Sequence, residues 1–457
     1  MLHIISKGYA ALQAVVWGPV MLAFFLFVGA LFTVRTRAFQ FTHAGQWLRV
    51  TLLSIFRNRS TRRTEDAHAI SQFQSLCTAL AATIGTGSVV GVTTAITTGG
   101  PGAVFWLWVS AALGMMTSYA ENTLGIMYRY RDARGFWVGG AMVYIERGLG
   151  WKWLAVLFSA FCALASFGIG DMTQANSIAA SLSAYFNVPP LVTGVVTMTL
   201  AGVVILGGIK RVASVTDKFV PFMAAFYILG GLVVIAANAD ALPAALTSIM
   251  REAFNFKAAG GGVLGYGISV AMKSGISRGV FSNEAGLGSS VAVHASSDVK
   301  DPATQGMWGI FEVFTTAVVC TLTALVILTS GVYDAATYAV TRGAGLETGA
   351  ALAGRAFGTA IPFGGHFVAL AIVLFAFSTI LGWSFYGERS VAYLFGERCT
   401  IYYKLAFIAM ILVGCVTSLE TVWSVADTLN ALMAVPNLIA LTALAGKVTT
   451  IDNLRGD

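Results

Sequence analysis

Five groups of glycine or polar residues interrupt long apolar runs in this chain, and each carries atoms able to hold an ion or a small zwitterion. Two are glycine clusters, Gly85-Thr86-Gly87-Ser88 and Gly286-Leu287-Gly288-Ser289. A shift of 201 residues carries Gly85 onto Gly286, Gly87 onto Gly288, Ser88 onto Ser289, Val90 onto Val291 and Pro101 onto Pro302. Clustered glycines unwind a helix and release its backbone groups. A freed helix N-terminus, with about +0.5 of a charge and unpaired N–H groups, suits a carboxylate. Freed carbonyls and helix C-termini suit sodium or an ammonium group. A single GxG in a membrane helix ordinarily serves close packing. Two in register point instead to a solute site between matching halves, as in secondary transporters.

Ser282-Asn283-Glu284 directly precede the second cluster, with Lys273 and Arg278 one to three turns upstream. An ionisable group at membrane depth costs about 2.5–3.5 kcal/mol or more, so it pairs or faces a polar cavity. Glu284 therefore either forms an internal ion pair with Arg278 or Lys273, or belongs to a gate or coupling network. Asp171 and Gln174 stand three residues apart and share a helix face, with Asn176 close behind. A lone glutamine is ordinarily interhelical glue; the neighbouring acid argues for a wet cavity. Ser378-Thr379 carry two hydroxyls that either bond back to their own helix or supply oxygen ligands to a hard cation. Trp383, one turn later, can wall a small apolar pocket.

Enzyme signatures are weak. Neither G-x-x-x-x-G-K-[ST] nor H-E-x-x-H occurs. Gly275-Ile276-Ser277-Arg278-Gly279 matches the hydrolase pattern G-x-S-x-G, but it falls inside an apolar helix and not on a strand-to-helix elbow. His3, His43, His68, His294 and His366 are scattered, which argues against a metal site or a histidine proton relay. Cys77, Cys162, Cys320, Cys399 and Cys415 lack metal-ligand spacing, so neither zinc nor disulfides are expected. No cofactor is expected, and the energy for any transport should come from an ion gradient.

The frame that positions these groups is a bundle of membrane helices. Mean hydropathy is +0.76. With 57% hydrophobic and only 11% charged residues, an ordinary soluble domain, about a quarter charged, is excluded. The net charge of +7 comes from short loops, where it orients the chain in the bilayer and forms no nucleic-acid surface. About 20 apolar residues cross a bilayer. Eleven candidate spans follow: Gln13–Val34, Ile70–Thr98, Gly102–Tyr128, Trp153–Phe186, Val192–Gly208, Phe219–Ala237, Gly265–Ser296, Gly306–Gly331, His366–Phe395, Ile401–Thr417 and Thr421–Ala445. The first lacks the basic n-region and cleavage site of a signal peptide and is read as a retained helix.

With the N-terminus outside, 21 of the 28 basic residues are cytoplasmic; Lys7, Arg251, Lys257, Arg342 and Arg355 are external, and Lys273 and Arg278 fall within the seventh span. The second span then runs outward and the seventh inward. The expected fold is thus an all-α integral membrane protein with about eleven transmembrane helices, a five-plus-five inverted repeat with two discontinuous helices and one extra N-terminal helix. Its parts are residues 1–69 (extra helix and basic loop), 70–238 (first repeat), 239–264 (external loop), 265–446 (second repeat) and 447–457 (cytoplasmic tail). Ser248–Phe254 in the external loop has the mixed character of a surface helix.

The chain resembles the alanine or glycine:cation symporter family, the sodium:alanine symporters, over essentially its whole length. The resemblance is carried by Gly99-Gly100-Pro101-Gly102-Ala103-Val104-Phe105-Trp106-Leu107-Trp108-Val109, Val280-Phe281-Ser282-Asn283-Glu284-Ala285-Gly286, Gln174-Ala175-Asn176-Ser177 and Phe377-Ser378-Thr379-Ile380-Leu381-Gly382-Trp383. It implies the fold of the bacterial leucine transporter and import of a small neutral amino acid, alanine or glycine, with sodium by alternating access. It also implies that Gly85, Thr86 and Gly87 hold the carboxylate, that Gln174, Ser282 and Asn283 give polar contacts, and that Phe281 and Trp383 limit the side chain. Sodium would take Ala81 and Ile84 carbonyls with Ser88, Ser378 and Thr379; Asp171 and Glu284 are gate or coupling candidates. Ser88 and Asp171 stand where the family commonly has asparagine, and an acid at 171 admits proton coupling as the alternative. A channel or substrate sensor on the same fold is a further alternative. The expected partners are the amino acid, sodium and lipid, with a monomer as the unit and the bacterial inner membrane as the location.

Overall fold

The computed structural model describes residues 17–254, 263–334, 349–417 and 419–448. Lys7, Lys257, Arg342 and the tail beyond 448 lie outside them. Helix α1 (Pro19–Arg35) leads into short helical turns between Phe39 and Arg62. The first predicted discontinuous span consists of α2 (Gln72–Thr83), a 3-10 turn (Thr86–Ser88) and α3 (Val90–Gly99), bent by 63° at the break. Next come α4 (Gly102–Tyr128), α5 (Ala141–Leu149) and α6 (Lys152–Ala165), which continues through π turns (Ser166–Met172) into α7 (Thr173–Phe186). Helices α8 (Pro190–Ile205), α9 (Gly208–Ala237) and α10 (Leu242–Ala253) complete the first half. The second discontinuous span is α11 (Val263–Asn283) with the single turn α12 (Val291–His294), followed by α13 (Pro302–Thr329), α14 (Gly349–Gly358), α15 (Gly364–Phe395), α16 (Thr400–Val416) and α17 (Leu419–Ala443). Helices therefore stand at all eleven predicted positions. Among the described residues, six are individually long and apolar enough to cross a bilayer, and the bent pair α2–α3 makes a seventh.

Local chemistry fixes where the two broken spans begin and end. Ser71 Oγ accepts the Gln74 N–H while Gln74 Oε1 accepts the Ser71 N–H, each at 3.1 Å, and this reciprocal cap starts α2. Past each break the next long helix starts at the aligned proline: Pro101 caps α4, and Pro302 opens α13 with the Asp301 carboxylate accepting the Ala303 and Thr304 amides. The second break is longer than expected. Glu284, Gly286 and Gly288 have φ of 54°, 91° and 74°, a left-handed run that cannot continue a helix, so the predicted span to Ser296 stops at Asn283 and resumes for one turn only.

Two further features depart from the sequence reading. Tyr130–Arg131 and Trp137–Val138 form a two-stranded antiparallel hairpin, with the Arg129 and Arg131 guanidinium groups 3.9 and 4.4 Å from the Trp137 ring centre. The surface helix is longer than Ser248–Phe254 and is seated on protein: Ala245, Ile249 and Ala253 of α10 are buried, and the Ala253 carbonyl accepts Trp106 Nε1 at 3.4 Å.

Glycine sets the closest helix contacts, and it accounts for the hydrolase-like pattern. A Cβ at Gly275 would stand 2.2 Å from the Ala103 carbonyl oxygen, and one at Gly279 would stand 2.1 Å from Ser110 Oγ. The two glycines of G-x-S-x-G are thus one seam of α11 against α4, as small residues four apart commonly are in membranes. At Gly275 the obstacle is backbone. Gly275→Val is expected to cost about 1–3 kcal/mol through overpacking; a lower thermal unfolding midpoint of the purified protein in detergent would register it.

Candidate functional site

At the first break the chain leaves α2 through Ile84 (ψ 75°) and passes an extended Gly85 before the 3-10 turn. The amides opening α3 have no side-chain cap. Residues predicted from distant parts of the sequence meet here. Ser378 Oγ and Thr379 Oγ1 donate to the Ala81 carbonyl at 3.1 and 3.0 Å, and Thr379 also reaches the Ala82 carbonyl at 3.4 Å. A Cβ at Gly85 would lie 2.7 Å from Thr379 Oγ1 and 3.7 Å from Gln174 Oε1, so only glycine allows this approach. Gln174 accepts Thr86 Oγ1 at 3.2 Å and donates to the Ile169 carbonyl at 3.0 Å. Two hydroxyls, helix-terminal carbonyls and a primary amide thus converge where a helix comes apart. These oxygens suit a hard monovalent cation beside a zwitterion.

Ser88 does not join that cluster. Successive side chains of a 3-10 turn point about 120° apart; Thr86 therefore faces Gln174, while Ser88 Oγ meets Ser282 Oγ at 3.0 Å. Ser282 also contacts Cys320 Sγ at 3.1 Å, and the Ser88 carbonyl accepts Thr323 Oγ1 at 2.9 Å. Ser88 and Ser282 therefore tie the two breaks together. Phe281 lies against Gly87, whose Cβ would stand 2.9 Å from the ring. Asn283 Oδ1 accepts the Ala285 amide at 3.1 Å, holding the exit of α11.

Glu284 makes neither of the ion pairs expected for it. Its left-handed backbone turns the carboxylate toward α15: Oε1 accepts Trp383 Nε1 at 2.9 Å and Oε2 accepts Ser289 Oγ at 2.5 Å. Arg278 instead faces Asp427 of α17 at 3.9 Å, and Lys273 is exposed. Trp383 presses on α6–α7, where a Cβ at Gly170 would stand 2.2 Å from it. The predicted side chains Thr86, Gln174, Phe281, Ser282, Asn283, Glu284, Ser378, Thr379 and Trp383 are all buried. Asp171 is buried one turn before Gln174, on the π turns and outside this hydrogen-bonded group.

Comparison with known proteins identifies the frame. The sodium:alanine symporter family matches residues 2–453. The chain belongs to that family. It is therefore a symporter by descent and not an enzyme. It is 44% identical over 440 residues to the sodium/alanine symporter AgcS of Methanococcus maripaludis, covering 95% of this chain and 94% of that one. To the putative sodium/proton-dependent alanine carrier protein YrbD of Bacillus subtilis it is 36% identical over 446 residues, covering 95% and 89%. Among solved structures, a mutant manganese transporter of Eremococcus coleocola superposes with a TM-score of 0.51 at 14% identity, over 84% of this chain and 79% of that one, which shows the shared fold alone.

The symporter also contains functional candidates that sequence reading missed. Glu121, buried in α4, accepts the Gly288 amide at 2.9 Å and Asn437 Nδ2 at 2.6 Å through one oxygen. Asn437 Nδ2 donates further to the Gly286 carbonyl at 2.9 Å, and its Oδ1 accepts the Tyr144 hydroxyl. His294, read as isolated, stands 2.9 Å from Glu312 Oε2 and 2.5 Å from Gln305 Nε2, with both members of the His–Glu pair buried. The available signal was an acid alone inside an apolar run, at Glu121 and at Glu312.

On the basic side of the symporter, hydrogen bonds join the start of α2 to the segment after α12. Ile70 pairs with the strand-like segment after α12, its amide donating to Ser296 O at 3.1 Å and its carbonyl accepting the Asp298 amide at 2.8 Å. Arg129 donates to the carbonyls of Ala295 and Ser297 at 2.8 and 2.6 Å, and to that of Val299. Thr64 reaches Asp298 at 2.6 Å. The Arg131 guanidinium, 2.5 Å from Asp66, and the His68 amide hold the Asp66 carboxyl below its usual range.

Proposed function

We propose that the protein imports alanine, with glycine as the second candidate, together with sodium by alternating access across a bacterial inner membrane. The observation that carries this reading is the meeting of Ser378 and Thr379 with the Ala81 carbonyl directly below the first break, beside Gly85 and Gln174. In the proposed arrangement sodium takes the Ala81 and Ile84 carbonyls with the Ser378 and Thr379 hydroxyls. The substrate carboxylate sits at the backbone of Gly85–Gly87, next to the ion. Gln174 orients the substrate, with Ser282 and Asn283 fixing the neighbouring break. Phe281 and Trp383 are the walls that would restrict the side chain to a small one.

The repeats 70–238 and 265–446 supply the parts that rock against one another. Each ligand stabilises the site occupied by the other, a coupling that is reciprocal in free energy. Lysine and arginine placement supports the basic side as cytoplasmic, with the N-terminus outside and the C-terminus inside; the pairing of Ile70 with Ser296 and Asp298 then closes the cytoplasmic exit. Glu284, bonded to both Trp383 and the second break, is placed to couple the substrate wall to that exit. The test is uptake of labelled alanine into proteoliposomes holding the purified protein under an imposed sodium gradient. Saturable uptake that collapses when potassium replaces sodium at fixed pH is expected. Uptake unchanged by that replacement would refute sodium coupling, and non-saturating flux would make the protein a channel.

A further inference from the structure

Asp171 lies on the π turns Ser166–Met172 that join α6 to α7, and it is fully buried. Neither of its carboxylate oxygens has a hydrogen-bond partner among the described residues. Buried carboxylates elsewhere in the bundle are engaged: Glu121 by two N–H groups, Glu284 by an indole and a hydroxyl, Glu312 by an imidazole. A bare carboxylate removed from water carries a penalty of several kcal/mol, which only a counter-charge or a bound proton offsets. Among the described residues, none forms an ion pair with Asp171. Tyr403 and Cys415, both buried, belong to α16, which packs against these turns. Lys404 of α16 is turned to Glu388 of α15 at 2.9 Å.

A π turn displaces carbonyls from the regular ladder, and such turns recur at functional sites. Ser166, at the start of the same turns, shares a hydrogen bond with Tyr403 at 2.9 Å, so further oxygen atoms line this region. The segment is also wired to the transport site: Gly170 is pressed against Trp383, and Gln174, one turn on, bonds Thr86 at the first break.

We propose that Asp171 binds a second monovalent cation, sodium or a proton, carried along with the one at Ser378 and Thr379. This rests on the reading of the protein as a cation-coupled alanine carrier. A cation at Asp171 neutralises the carboxylate while the π turns are packed, and it leaves when rocking of α6–α7 against α16 opens that contact. Alanine is a zwitterion without net charge, so the number of bound cations equals the number of charges moved per cycle.

The experiment is the coupling ratio of the full-length protein in proteoliposomes, read from reversal potentials at graded alanine gradients beside uptake of radioactive sodium and a luminal pH dye. The wild type is expected to move two charges per alanine, and Asp171→Asn one, with slower but measurable alanine transport. Two sodium ions per alanine in the wild type assign the site to sodium; one sodium with one proton assigns it to a proton. A wild type that moves one charge, or an Asp171→Asn variant that still moves two, overturns the proposal. Should the asparagine variant not fold, Asp171→Ser carries the same comparison. Wild-type protein that moves no alanine at all would instead sink the underlying transport reading, a result distinct from any change in ratio.

Discussion

Thr379→Val is expected to raise the sodium concentration for half-maximal alanine uptake about tenfold, and Ser378→Ala with Thr379→Val about a hundredfold. A hydrogen-bonding oxygen facing an ion is worth about 1.5 kcal/mol or more, and each 1.4 kcal/mol is a factor of ten in affinity. Valine keeps the shape of threonine and removes only the oxygen that reaches the Ala81 and Ala82 carbonyls. Both hydroxyls also bond back to the Phe375 carbonyl, at 2.8 Å from Ser378 and 3.0 Å from Thr379, as hydroxyls in membrane helices do by default. A purely helical role would leave the sodium curve in place. Thr379→Ser, which retains the oxygen, should recover most of the affinity. Sodium titrations of initial uptake rate at fixed alanine decide it; unaltered half-saturation in the double variant would remove both residues from the ion site.

How much of this was legible beforehand depends on what kind of preference each residue expresses. Glycine declares itself locally: Gly286 and Gly288 adopt φ values that only glycine takes without cost, so the second break was visible in the sequence even though its length was not. Ser378-Thr379 and Gln174 could be placed by depth and by resemblance, and the structure brings both to the first break. Azimuth was not legible. A one-dimensional pattern says that Glu284 lies at membrane depth but not which helix it faces; nearness in sequence offered Arg278 and Lys273 as partners and could not point to Trp383, 99 residues away. The resemblance placed Ser88 with the sodium ligands, whereas the tighter winding of the 3-10 turn sends its hydroxyl to Ser282. The π turns at Ser166–Met172 left no mark either, because one extra residue per turn disturbs hydrophobic spacing less than ordinary sequence variation does.

Glu121→Ala is expected to abolish most alanine uptake, whereas Glu121→Gln should retain much of it. Two donors depend on one oxygen, the Gly288 amide and the Asn437 side-chain amide, from elements 167 and 316 residues away in sequence. Leaving a buried donor unsatisfied costs about 1–3 kcal/mol, so alanine at the buried position 121 strands about 2–6 kcal/mol of polar contact. The affected backbone is the second break itself, since Asn437 also holds the Gly286 carbonyl. Glutamine preserves an acceptor oxygen at the same reach. If the carboxylate acts by shaping the break, Asn437→Leu should give the same defect, and the two substitutions together should cost far less than their sum, because both remove one shared network. Uptake kinetics separate this from simple misfolding. A misplaced break raises the KM for alanine in protein that still elutes as a folded monodisperse species, while a folding defect lowers the yield and leaves the KM of the surviving fraction unchanged. Full additivity of the two substitutions, or an unshifted KM in Glu121→Ala, would show that the second break keeps its geometry without this carboxylate.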